Sequence, residues 1–509
     1  MKSFNLLTEN WIPVQQQGQF ETISLKRLLC RDEDWQICMS RDDMELAALQ
    51  LIVCIVQVVF MPDDEDCLMD AYKKPMNEAD YDKGILSLME WFDVLHPKYP
   101  FMQTANVKPE IKNKKVVNWA SIQKLFVGLP EESSTSESSN AFFNAGDEID
   151  CISFGESVIA LFQQATNGFS LGGRFYSVGL KGSMPITTLI QESSLRKCIW
   201  CNVINKDFLK ETSSLLDGDK NNQPTWVVSP SFDSKSPEYA HTIGLLRGLF
   251  WQPARVKLDV DDNFQVKGFF KEQGMSYVKD FWQHPHTPID IIRLKNNNQK
   301  EKPFLSAKQD LPLWGQMLSF FYTQSTEQEG FSRALVVSHY AKIVGRKKSI
   351  NLAVGGYVQG NSTESLAGRK HEMYSISSGW ENQIAEMSLL ISYGLDAQKA
   401  LDYSIYSFGK ELREIRIVRN KEKPSKLITN LMNQAKNLYF NNSEEIFHSI
   451  MRELDVNDVS KYNDNFVQLA IGTFDTIFLP YEHDPKLLKA IVMGRKELIK
   501  KLMKIGGNA

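Results

Sequence analysis

The sequence predicts an α+β protein in two parts, a large mixed domain over residues 1–374 and an antiparallel four-helix bundle over residues 375–509. Three observations carry this. Up to about residue 374, short apolar runs alternate with Gly, Pro and polar clusters, the punctuation of mixed strands and helices. Beyond it Gly and Pro thin out, and apolar residues recur at three- and four-residue steps. The chain has 509 residues, enough for more than one domain at roughly 150 residues each.

Composition narrows the class. Hydrophobic residues make up 42% and charged residues 24%, which excludes a disordered or collagen-like chain. The 58 Lys and Arg against 62 Asp and Glu leave a net charge of −4, so a nucleic-acid surface has to be local. Seven cysteines, an odd number scattered over a long chain, fit reduced thiols in a cytoplasmic protein. The N-terminal residues carry no apolar stretch of signal-peptide type. The run Met44–Phe60 is interrupted by Glu45, Gln50 and Gln57 and reads as a buried helix, so no membrane association is expected.

Asn10-Trp11-Ile12-Pro13-Val14 reads as extended chain, because Pro13 disfavours helix at Ile12. Asp42 and Asp43 open the following helix, where its positive end favours anions. Asp63 to Asp66 reads as a solvated acidic loop. Residues 131–140 hold no apolar side chain and predict a mobile loop, with Phe142-Phe143 just after it either anchoring the loop or meeting a partner. Residues 168–185 are rich in glycine, with Arg174 and Lys181 interleaved, and lead into a strand over Ile186–Ile190. No Walker or dinucleotide fingerprint is present. Leu195–Ile204 reads as a buried strand carrying Cys198 and Cys201, taken as core thiols. Residues 350–375 read as a hairpin whose polar tip is Val358–Ser362.

In the C-terminal part, Ile384, Met387 and Ile391 share one helix face, and Leu427, Leu431, Ala435 and Leu438 another. Ser443-Glu444-Glu445 has the chemistry of a helix start. Asp484 and Pro485 cap the last helix, whose apolar positions include Leu488, Ile491, Val492, Leu498 and Leu502. Basic residues gather at Lys108–Lys124, at Arg346–Lys348 and at Lys410–Lys426, where phosphate binding and an ordinary solvated face are both open readings. His284-Pro285-His286 and His483-Asp484 are the weak catalytic candidates, and no nucleophile motif accompanies them.

Several segments occur together in one order: Asn10–Val14, Arg41–Leu49, Pro100–Thr104, Asn222–Trp226, Arg247–Ala254 and His284–His286, with the glycine-rich segment and the Gly355-Gly356-Tyr357 hairpin. This ordered set closely resembles the CasA family, the large subunits of type I-E CRISPR Cascade complexes. The match covers most of residues 5–375 and continues more weakly to about Leu502. The resemblance implies a non-enzymatic subunit without cofactor. Its partners would be the 5′ handle of the CRISPR RNA, the backbone and small Cascade subunits, double-stranded target DNA and a helicase–nuclease. It implies reading of the protospacer-adjacent motif through the minor groove, and help in opening the duplex for the R-loop.

Residue by residue, the resemblance places Phe142, Phe143 and Asn144 in the RNA-handle loop. Gly168, Phe169, Gly172 and Gly173 fall in the minor-groove glycine loop, where Ser170 and Leu171 look inserted. Lys271 is the lysine finger, with Lys267 as the alternative. Gln359 or Asn361 is the tip of the wedge hairpin. Cys151 lacks a close partner and Lys257–Gly268 holds no cysteine, so no metal is expected. The competing readings are a metal-dependent nuclease built on His483, Asp484 and the His284/His286 pair, and a pure protein scaffold.

Overall fold

The computed structural model describes residues 3–129, 149–169, 179–216, 222–291, 303–325, 330–343, 348–360, 366–418, 421–452 and 458–505. The fold is α+β, and the chain divides into two compact units. One comprises Met1–Gln309, Ser319–Gly345 and Asn351–Tyr374, the other Asp310–Leu318, Arg346–Ile350 and Ser375–Ala509.

Two helices form the centre of the first unit. Asp42–Val59 is buried almost all round, as expected of a helix whose residues 44–56 are mainly apolar. Phe154–Asn167 begins with a capping box in which Ser153 and Glu156 satisfy each other's backbone N–H groups. It lies close to the strand Asn10–Gln16, and a Cβ at Gly155 would stand 2.5 Å from the Trp11 carbonyl oxygen. Beside these helices runs a three-stranded sheet with Ile350–Gln359 in the middle, flanked by Thr187–Gln191 and Leu366–Ile376. Gly355 lets this sheet approach, since a Cβ there would collide with Leu46. A second sheet places Val266–Glu272 between Trp119–Ser121 and Arg255–Val260, all antiparallel.

Several local expectations change. Leu195–Asn202 is a helix capped by Ser194, not a strand, because its apolar face packs on neighbouring helices. The acidic run at Asp63–Asp66 is partly structural, as the Asp64 side chain accepts from Cys67 N and starts the helix Glu65–Lys73. The hairpin strand continues through Gln359, past the tip expected at Val358.

In the second unit, four long helices occur among the described residues: Ile384–Glu411, Lys426–Arg452, Asn463–Phe478 and Pro485–Leu502. The first lies against each of the other three. The second runs unbroken through Ser443, whose buried hydroxyl donates to Phe440 O at 2.9 Å, so no helix starts there. Its inward face is Ile428, Leu431, Ala435 and Tyr439, while Leu427 is 49% exposed. The last helix buries Ile491, Leu498 and Leu502 but exposes Leu488 and Val492. Asp484 caps it by accepting from Lys486 N at 2.8 Å. Part of the basic run Lys410–Lys426 is a short hairpin, Ile415–Val418 with Lys421–Pro424, rather than helix. Trp314 belongs to this unit and stacks on Phe447 with ring centres 5.1 Å apart. No helix among the described residues is long and apolar enough to cross a membrane.

Candidate nucleic-acid interface

A buried chain of polar side chains runs through the first unit and joins the segments singled out from the sequence. It starts at Arg41, which grips Asp43 through two bonds of 2.9 and 2.7 Å and donates to the Val127 carbonyl at 2.8 Å. The Tyr357 hydroxyl donates to Asp43 at 2.5 Å and accepts from the Gln163 amide at 2.6 Å. Asn167, one turn on, donates to Gln163 at 2.7 Å and Gln50 at 2.8 Å. The Asn167 side-chain oxygen accepts from Lys181 Nζ at 2.6 Å and Thr187 Oγ1 at 3.1 Å. Gln50 lies 3.3 Å from His286 Nδ1, which extends the chain to the His284–His286 pair. At the outer end Arg369 and His371 approach Asp42, and Arg369 also approaches Asp43.

The electrostatics follow from burial and pairing. Burial alone raises the Asp43 carboxyl, but the Arg41 hydrogen bond and charge outweigh it and hold the group below its usual range. Burial, then the adjacent Asp43 charge, push the Tyr357 phenol well up. Lys181 is buried with amide and hydroxyl neighbours, and burial pulls its ammonium down to about 7. Burial, then Lys181, hold His286 at about 3 and His284 well below its ordinary value, so both rings are neutral. Among the described residues no third metal-ligating side chain joins this His pair within ligand distance.

This network reaches the ends of the segments singled out from the sequence. Gly168 ends the Phe154–Asn167 helix, and a Cβ there would lie 2.8 Å from the Gln164 carbonyl oxygen. Phe169 packs on Val127, Met184 and Tyr357, and its carbonyl accepts from the Gln164 amide at 2.9 Å. Lys181 ties down the far end of the same glycine-rich segment. Leu366, which opens the second hairpin strand, packs on that cluster too. Thus the loop end of the hairpin strands, both ends of the glycine-rich segment and Val127, just upstream of the 130–148 segment, share one core.

Gln359 is exposed at the end of its strand. Lys271 is the penultimate residue of the strand Val266–Glu272. It is half-buried beside Lys124, and burial lowers its pKa. Lys267 is exposed and bridged to Asp261 at 3.3 Å. Phe142, Phe143, Asn144, Gly172, Gly173 and Asn361 lie outside the described residues. Cys198 and Cys201 are buried on one helix with neither in a disulfide, and Cys198 Sγ sits 3.2 Å from Glu192 O. Sequence reasoning took Asp43 only as a helix-start anion and passed over Gln163 and Asn167. The available signal was polar residues one turn apart, Gln163 and Asn167, inside an otherwise apolar helix.

The fold and this arrangement define an α+β protein in which one buried polar network joins Asp43, Gln163, Asn167, Lys181 and Tyr357. The family model for CRISPR-associated protein Cse1 matches residues 5–470, and the chain belongs to that family. Its fold is similar to that of Thermus thermophilus CasA (Cse1), at a TM-score of 0.74 and 16% identity, covering 99% of this chain and 100% of the other. Thermobifida fusca Cse1 matches at a TM-score of 0.70 and 16% identity, covering 98% of each chain. A chain from a CRISPR RNA-guided surveillance complex matches at 0.66 and 12% identity, covering 98% of this chain and 100% of that one.

Proposed function

We propose that this chain is the non-catalytic large subunit of a type I-E RNA-guided surveillance complex. In this reading it acts in the cytoplasm with guide RNA and the backbone and small subunits. It inspects duplex DNA for a short motif beside the target, helps part the duplex for R-loop formation, and receives the helicase–nuclease. Minor-groove acceptors are nearly the same on every base pair, so recognition there accepts several motifs and leaves target identity to guide pairing.

The single observation that carries the reading is the common anchoring core. Tyr357 of the hairpin, Asn167 before the glycine-rich segment and Lys181 after it belong to one hydrogen-bonded network. A groove reader and a strand separator act on adjacent base steps, so a shared rigid base is what their cooperation requires. Exposed Gln359 then supplies an amide where the duplex first parts, and Lys271 supplies a donor for groove acceptors.

The test is DNA binding by the complex reconstituted with guide RNA, with and without this chain, on duplexes with a randomised motif at fixed salt. Binding is expected to require the chain, to select a small motif set, and to weaken with Gln359→Ala or Lys271→Ala. Motif choice unchanged by the chain's removal would overturn the proposal. Metal-dependent cleavage by the isolated chain, lost in His483→Ala, would establish the nuclease reading instead.

A further inference from the structure

The stretch from Lys108 to Val117 is exposed throughout and carries four lysines against one acid, Glu110. It forms a small two-stranded hairpin, Ile111–Lys112 with Lys115–Val116. The fold holds it firmly at its base. Buried Asn118 donates to Lys108 O at 2.8 Å and accepts from Glu110 N at 2.7 Å, and Val117 N donates to Glu110 O at 2.9 Å. The carbonyl of the same Asn118 accepts the backbone N–H of Lys271 at 2.9 Å.

The tip is built at a cost to itself. Asn113 and Lys114 have φ of 49° and 63°, the left-handed pair a two-residue turn of this hand requires, and the second position favours glycine. Lysine stands there instead. Lys112 is paired directly opposite Lys115, a like-charge arrangement that destabilises a strand pair. Glu110 offsets part of the charge through Lys112 at 2.7 Å, leaving Lys114 and Lys115 on an exposed tip of a net-acidic protein. Neither the strained lysine nor the repelling pair contributes to the hairpin's own stability, whereas a row of phosphates would relieve the repulsion and use all three ammonium groups.

We infer that the Lys112–Lys114–Lys115 hairpin is a phosphate grip for the sugar–phosphate backbone of duplex DNA, set beside the strand that carries Lys271. The inference rests on the DNA-reading function proposed above and adds a sequence-independent contact to it. Duplex DNA is the partner favoured because Asn118 couples the hairpin's base to the Lys271 backbone.

The experiment compares wild-type complex, Lys114→Gly, and the triple variant Lys112→Ala, Lys115→Ala, Lys114→Gly. The logarithm of duplex affinity is measured against the logarithm of salt concentration, on duplexes with and without the motif. Each lost phosphate contact lowers the slope by about 0.9. The triple variant is expected to lose about 2 to 3 in slope and about 10- to 100-fold in affinity near 0.15 M salt, with the order of preferred motifs unchanged. Lys114→Gly alone is expected to lose about 1 in slope while unfolding at no lower temperature, since glycine suits the turn. An unchanged slope in the triple variant overturns the inference. So does loss of assembly with guide RNA and partner subunits, which would make the hairpin an RNA or protein contact. Because the slope is also read on duplexes without the motif, absence of motif preference in the wild type would sink the proposed function while still deciding the hairpin.

Discussion

Lys181→Met separates the electrostatic cost of the anchoring network from its use. In the unfolded chain Lys181 titrates near its ordinary 10.5, and in the folded chain burial holds it at about 7. Between these values the unfolded chain binds more protons, so stability rises with pH across that window. Below about pH 7 the ammonium is charged in both states and the full penalty applies, and above about 10.5 it vanishes. At 1.36 kcal/mol per pH unit the full penalty is about 5 kcal/mol, of which about 3 kcal/mol disappears between pH 7 and pH 10. Methionine fills the same space without charge, and Asn167 keeps a donor in Thr187 at 3.1 Å. The variant is therefore expected to be more stable than the wild type at pH 7, by about 2 to 4 kcal/mol after the lost hydrogen bond is counted. That advantage should shrink by about 3 kcal/mol at pH 10. Urea denaturation of both proteins at pH 7, 8, 9 and 10 reads this directly, because other titrating groups cancel in the difference. A difference that stays flat with pH would refute the reasoning. The same variant should bind motif-bearing duplex less tightly in the reconstituted complex, since the far end of the glycine-rich segment loses its tie.

Tyr357→Phe removes the hydroxyl between Asp43 and Gln163 and leaves both groups short of a buried partner, which should cost about 1 to 3 kcal/mol in chemical denaturation. An unchanged denaturation midpoint would mean that water or repacking replaces the hydroxyl. Gly155→Ala drives a methyl against the Trp11 carbonyl oxygen and should destabilise by about 1 to 3 kcal/mol, whereas Gly472→Ala, with open space around it, should raise helix stability slightly. Cys198 is buried and its thiol is pushed up to about 11, mainly by burial, so thiol reagents should label Cys67 and Cys151 well before Cys198. Rapid labelling of Cys198 in the native protein, or a fall in unfolding temperature on adding a chelator, would contradict the reading of Cys198 and Cys201 as core thiols.

Much of the fold was legible because its signals are local. The helix Asp42–Val59 follows from an apolar run too long for a strand, and the cap of the last helix from Asp484-Pro485. The hairpin followed from an apolar extended run leading into the polar tip expected at Val358–Ser362. Failures came where local pattern is ambiguous. Leu195–Asn202 is short, apolar and β-compatible, and only its packing makes it a helix. The Lys426–Arg452 face was read one residue off, because Leu427 and Ile428 are equally apolar and tertiary contacts select Ile428. Ser443 has cap chemistry but sits where the backbone already continues as helix, so its hydroxyl turns back to Phe440.

The candidate site divides in the same way. Tyr357, Lys181, Gln359 and Lys271 stand in segments whose glycine content, charge or order marks them in the sequence alone. Asp43 reads there as a helix-end anion, yet its carboxylate turns to Arg41 and Tyr357. Position 43 lies 314 residues from position 357 along the chain, and Gln163 lies 194 from it. Periodicity and capping act over a few residues, so they specify helices, strands and turns. A buried hydrogen bond is specified by which side chains the folded core leaves without water, and that is decided only when distant segments exclude solvent together.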